Sequence, residues 1–99
     1  MNKKIFDLKK HFLNKNYNEV IKIARENISY GSDIPAVYNL LSVSLELTGK
    51  IEEAEKVLKD AIKKNSREIS FRVNIGRIQR ILKKYKDSDE NLSFGIKID

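Results

Sequence analysis

The residues able to do bond-making chemistry are few. His11 is the one histidine of the chain, and there is no cysteine. A nucleophile needs a base beside it, and a zinc site needs several nitrogen or sulfur ligands. No second histidine or thiol exists to complete either set, and no Gly-rich phosphate loop is present, so neither a metal nor another cofactor is expected. Absence of cysteine also excludes disulfides and suits a reducing compartment. Glu52, Glu53 and Glu55 form an acidic cluster. Lys56 and Lys59 follow at helical spacing, so the cluster reads as a solvated helix start. What remains is recognition chemistry: Lys, Arg and Asn side chains among apolar ones, with a net charge of +6. That excess invites an acidic partner or a nucleic acid.

Something must position those groups, and the apolar spacing says what. Ninety-nine residues, 40% hydrophobic and 34% charged, suit one small folded domain. Tyr38, Leu41, Leu45 and Thr48 recur three and four apart. So do Ile51, Ala54, Leu58, Ala61 and Ile62, and again Ile75, Ile78 and Leu82. These are faces of amphipathic helices. Gly31-Ser32-Asp33 interrupts the pattern, with Asp33 placed to cap the next helix and Pro35 in its first turn. Gly49 suits a left-handed helix end. Asn65-Ser66 makes another break, with Glu68 placed for a capping box. The spacing predicts helices near 3–14, 17–30, 35–48, 51–64, 68–82 and 86–96. Short links make neighbours antiparallel. The last helix should fray unless something packs on it, because Asp87, Ser88, Asp89, Asn91, Ser93 and Gly95 are poor helix formers.

Sliding the chain by 34 residues exposes a repeat. Lys15, Gly49 and Lys83 coincide at a turn. Tyr17, Ile51 and Tyr85 coincide next, followed by the acidic Glu19, Glu53 and Asp87. Val20, Ala54 and Ser88 match, then Ala24, Leu58 and Leu92, then Ile28, Ile62 and Ile96. A period of this length means stacked helical hairpins. The expected architecture is all-α: one domain spanning 1–99, a superhelix of about three antiparallel hairpins with repeats near 1–34, 35–68 and 69–99.

In the middle repeat the chain resembles the tetratricopeptide repeat family. Tyr38 takes that family's large aromatic slot, followed by Leu41, the small Ser42, the large Leu45, the turn residue Gly49 and the small Ala54. Leu58 and Ala61 continue the pattern, and Ser66 replaces the closing proline. The first repeat has Lys4 and Asp7 in the aromatic and Leu slots. The third has Arg72 and Gln79 where bulky apolar groups are expected. Ser42, Ala54 and Gly76 are expected at close helix crossings.

The resemblance implies a non-catalytic protein-interaction module, with the first helix of each hairpin lining a concave groove that grips a partner peptide or helix. The groove positions it implies are Ile5, Lys9 and Phe12 in the first repeat, Asn39, Val43 and Glu46 in the second, and Val73, Arg77 and Arg80 in the third. Lys9, Arg77 and Arg80 would supply positive charge, Asn39 a hydrogen bond to main chain, and Phe12, Val43 and Val73 apolar contacts. The implied partner is both acidic and apolar. Ile5 and Leu40 stand where the carboxylate-clamp subgroup carries polar residues, so chaperone-tail binding is not expected.

The remaining expectations concern context. Asp7, Lys9 and Lys10 interrupt any signal-peptide core, and no run approaches a membrane span, so a cytoplasmic protein is expected. Leu92 and Ile96 are expected on an uncovered face, which would self-associate or be covered in a longer protein, for instance beside a bacterial transferase domain. Nucleic-acid binding is the further alternative. Lys and Arg outnumber Asp and Glu seven to four in the first and third repeats, but the middle repeat is balanced at six each, unlike a continuous basic stripe.

Overall fold

A computed structural model describes residues 2–98, with side chains described for 5–94. Six helices follow one another: α1 (Asn2–Leu13), α2 (Tyr17–Ser29), α3 (Pro35–Leu47), α4 (Ile51–Lys64), α5 (Ile69–Ile81) and α6 (Tyr85–Ile98). They form three hairpins, with α3 packed on α1, α2, α4 and α5. Lys4 and Ile96, singled out in the sequence, have side chains outside the described residues.

The repeat is written into the backbone of the hairpin turns. Lys15, Gly49 and Lys83 all adopt left-handed conformations, with φ of 61°, 84° and 63°. Each turn closes with the same pair of bonds. Asn16, Lys50 and Lys84 donate their N–H to the carbonyls of His11, Leu45 and Gln79, each at 2.8 Å, and the turn residue donates to Phe12, Glu46 or Arg80 at 3.0 Å. This paired closure satisfies carbonyls that the helix end leaves open. Gly49 adopts its φ without a Cβ penalty, whereas Lys15 and Lys83 do not. Lys83→Gly is therefore expected to stabilise the fold by about 0.5–1 kcal/mol after its entropic cost, measurable as a higher urea midpoint.

Helix starts differ from the sequence expectation. Ile34, not Asp33, is the residue flanking α3, and no side chain caps it. Glu68 itself flanks α5, and its carboxylate accepts from the Ser70 hydroxyl (2.8 Å) instead of closing a capping box. Pro35 opens α3 as its first residue, where a missing N–H is no loss.

The core runs along the stack. Leu8, Val20, Ala24, Val37, Leu41, Leu45, Ala54, Leu58, Ala61, Ile75 and Ile78 are buried, with Tyr38 and Phe71 meeting edge to face at 5.8 Å. Ser42, Ala54 and Gly76 are all buried, as close crossings require. A Cβ on Gly76 would stand 2.8 Å from Leu92 Cγ and Cδ2, so α6 approaches α5 through that glycine. Ala54 is fully buried. Ala54→Leu is expected to overpack the second hairpin and cost about 1–3 kcal/mol, read as a lowered denaturant midpoint.

The last helix has the packing that its weak propensities require. α6 is helical from Tyr85 to Ile98 because α5 holds it. Ser88, fully buried, donates its hydroxyl to the Gly76 carbonyl at 2.7 Å. Asn91 donates to Gln79 (2.8 Å) and accepts from Arg72 (2.9 Å), while the Arg72 guanidinium lies 3.9 Å from the Phe94 ring centre. The polar residues that lower helix propensity are the ones tertiary structure uses. Leu92, expected on a bare face, lies against Gly76 and keeps 36% of its surface exposed.

Candidate partner-binding site

The face of α3 not taken by the core carries Asn39, Val43, Glu46 and Leu47. It is continuous with α1 and α5, which both pack on α3. A polar seam crosses from α3 to α5 along it. Asn39 Nδ2 donates to Ser70 Oγ (2.8 Å), and Asn74 Nδ2 donates to Asn39 Oδ1 (2.9 Å). Arg77 Nη2 donates to Asn74 Oδ1 (3.4 Å), while its Nη1 donates to Glu46 Oε1. These bonds give the face a fixed shape, because every link joins two helices or two turns of one.

The groove residues implied by the repeat therefore divide. Asn39 has both ends of its amide engaged internally, leaving one N–H and one lone pair for a partner. Arg77 and Glu46 are an ion pair, so Arg77 is not a lone cation. Arg80 is exposed, with its guanidinium 5.8 Å from the Tyr85 ring centre. Lys9 is exposed on α1. Phe12 packs edge to face on Tyr17 at 5.6 Å and, like Ile5, is partly buried against the core. Val43 is half-buried, whereas Val73 is 48% exposed.

Beside Val73, three further exposed apolar groups of this face lie outside those implied residues. Leu13 is 80% exposed, Leu47 54% and Ile81 47%. They end α1, α3 and α5 and occupy one repeat position, 34 residues apart. Phe6, one turn and more back on α1, is 67% exposed. Exposing one large aliphatic group is ordinary, but three at one register position across adjacent helices make a row. Sliding the sequence by the repeat length brings these three together, so the row is legible in the repeat register, outside the buried positions that define the family pattern.

Away from this face lies a second polar centre. Glu55 on α4 is buried, and its carboxylate accepts from Lys84 Nζ (2.8 Å) and Gln79 Nε2 (3.1 Å), with Lys59 at 3.7 Å. This corrects the reading of Glu52, Glu53 and Glu55 as one solvated cluster. Glu52 and Glu53 are exposed, but Glu55 turns inward. Burial raises its pKa; hydrogen bonds from Lys84 and Gln79 and the charges of Lys59 and Lys84 together outweigh that, and the carboxyl lies below its ordinary 4.5. The arrangement joins α4, α5 and α6 and accounts for the unusual Gln79 of the third repeat. His11 is half-buried. Among the described residues no group of three or more His, Cys, Asp or Glu is placed to hold a metal ion, and no helix is long and apolar enough to cross a membrane.

No family model matches the sequence, and no curated protein is similar to it. Among solved structures, it is similar to the second TPR of Spaghetti (RPAP3), bound there to the HSP90 peptide SRMEEVD. The TM-score is 0.88 and the identity 15%, covering 98% of this chain and 90% of that one. With six helices in three hairpins and the same turn closed at each 34-residue step, the chain has the tetratricopeptide-repeat fold.

Proposed function

We propose that the chain is a non-catalytic interaction module, holding an amphipathic segment of a partner protein on the face shared by α1, α3 and α5. The observation that carries this reading is the exposed row Leu13, Leu47 and Ile81. Packed helices stand about 8–10 Å apart, and a partner helix rises about 10.5 Å in seven residues. Apolar side chains at every seventh position of a partner would thus meet the row in step. Lys9 and Arg80 flank it and favour acidic neighbours, while Val43 and Val73 extend the apolar contact. Asn39, Phe12, Glu46 and Arg77 support the face from beneath. Three repeats at 1–34, 35–68 and 69–99 within a single domain, in a reducing cytoplasmic setting, complete the reading.

A protein partner is favoured over a nucleic acid by where the cations point. Arg77 is tied to Glu46, and Arg72 is held between Asn91 and Phe94, so two cations of the third repeat are engaged within the protein instead of contributing to a basic stripe. Self-association through α6 has less support, since Leu92 already lies on Gly76. Affinity capture from lysate with nuclease treatment tests the reading, using wild type, Leu13→Asp/Leu47→Asp/Ile81→Asp and Arg77→Glu/Arg80→Glu. A protein retained by wild type should be reduced at least about tenfold by the triple change, because each desolvated aliphatic contributes about 1 kcal/mol or more. Capture equal across all three proteins, or of nuclease-sensitive material alone, would reject it.

A further inference from the structure

Helices α2 and α4 each pack on α3, while their backbones stay apart and are bridged by the Arg25–Glu53 ion pair. Between them lies an open cleft of about 530 Å³, on the side of α3 away from the α1–α3–α5 face. Ile28, Tyr38, Leu41 and Val57 give it an apolar floor. Lys63 and Lys64 stand at its rim beside Asp60, and Arg25 reaches across the mouth to Glu53 at 3.9 Å. Lys64 is fixed there, since its Nζ donates to the Tyr38 hydroxyl at 3.0 Å and lies 5.5 Å from the ring centre.

The repeat supplies an internal comparison. One step along, α4 and α6 flank the equivalent cleft, and Ile62, Ile75, Arg72 and Asn91 replace Ile28, Leu41, Tyr38 and Val57. There Arg72 and Asn91 bond across the floor, Gln79 joins them, and Lys59, Lys63, Asp87 and Glu90 line the opening. The fold does not demand an uncovered apolar floor at this position, for the second cleft crosslinks it. The first leaves its apolar floor uncrossed, with Lys63 and Lys64 beside it.

We propose that the α2–α4 cleft binds a small organic anion with a single apolar chain and one carboxylate head. Its volume falls in the range of small-ligand pockets, whereas a docked helix needs a groove several turns long. Apolar floor and cationic rim divide the ligand: the chain covers Ile28, Leu41 and Val57, and the carboxylate meets Lys63 and Lys64 through charge-assisted hydrogen bonds. The site is independent of the α1–α3–α5 face, and neither reading needs the other.

The test is an NMR titration of methyl-labelled protein with decanoate, and with decylammonium as the cation of equal chain length. Saturable shifts at Ile28, Leu41 and Val57 are expected with decanoate. Decylammonium and the decanoate complex of Arg25→Glu/Lys63→Glu should each bind at least about tenfold more weakly. Val57→Asn, which copies the residue of the second cleft, should abolish the shifts while its helical circular dichroism stays intact. Absence of saturation, equal response to decylammonium, unchanged binding by Arg25→Glu/Lys63→Glu, or shifts centred on Leu13, Leu47 and Ile81 instead would each overturn the proposal. The rim variant carries the test even if Val57→Asn unfolds.

Discussion

Replacing Tyr38 by alanine is expected to lower the stability of the chain by about 3–5 kcal/mol, the range for removing a buried aromatic ring. The ring is 3% exposed and meets Phe71 edge to face, so its loss leaves a cavity where α3, α4 and α5 converge. The hydroxyl adds a separate contribution. It donates to the Ser32 carbonyl at 2.9 Å and accepts from Lys64, tying the loop before α3 and the end of α4 to one side chain. Tyr38→Phe keeps the ring and should cost only about 1 kcal/mol, the usual worth of a hydrogen bond. For a chain of this size a whole stability of about 5–15 kcal/mol is typical, so the alanine change should lower the melting temperature by more than about 10 °C. Thermal melts of both variants check this. Equal melting of Tyr38→Ala and Tyr38→Phe would show that the ring is not a packing centre.

The second large effect is at Glu55. Glu55→Ala removes the acceptor that Gln79 and Lys84 share and is expected to cost about 2–3 kcal/mol, chiefly because a buried amide donor loses its partner. Lys84 and Lys59 are about half exposed and can turn to water, which keeps the cost below that of a fully enclosed pair. Since Gln79 also holds Asn91, and Asn91 holds Arg72, the loss should reach α6 first. Hydrogen exchange of α6 amides should therefore accelerate in Glu55→Ala while those of α1 change little.

The same residue sets an acid dependence. With its folded pKa below the ordinary 4.5, Glu55 binds a proton more readily in the unfolded chain. Its contribution is thus complete above pH 4.5 and lost as pH falls from there through the folded pKa. Urea midpoints of wild type should fall across that acid window, and Glu55→Gln should remove this component of the fall. Lys84 acts at the opposite end. Its hydrogen bond to Glu55 raises its pKa above 10.5, so the pairing persists below that value and weakens as pH rises through the shifted one.

A single hydrogen bond shows how the repeat tolerates its departures from pattern. Tyr38 donates to the carbonyl of Ser32, six residues earlier, and Arg72, one repeat later, donates to the carbonyl of Ser66 at 3.3 Å. Read as a family slot, Arg72 is a missing aromatic. In space it performs the same tie and rests on Phe94 besides. Gln79 likewise stands where Leu45 stands one repeat earlier, and it replaces apolar packing with the link from Glu55 to Asn91. Periodicity cannot disclose such exchanges, because Phe94, Glu55 and Asn91 lie more than ten residues from the side chains they hold.

What the sequence alone determined was the local and periodic part: six helices, their short turns, the 34-residue step and the small residues at close crossings. Apolar spacing, Gly49, Pro35 and the repeat register are properties of neighbouring residues, and they specify helices and their stacking without long-range information. The side on which polar groups lie was decided only in the tertiary structure. Glu55 reads as one member of a solvated acidic run until α5 and α6 fold over it. Arg77 reads as a free cation until α3 brings Glu46 beside it. Asn91 and Ser88 weaken α6 by propensity and secure it by contact. The physical reason is common to all of them. A buried charge or amide is stabilised by partners on other helices, and those partners are set by how the hairpins stack.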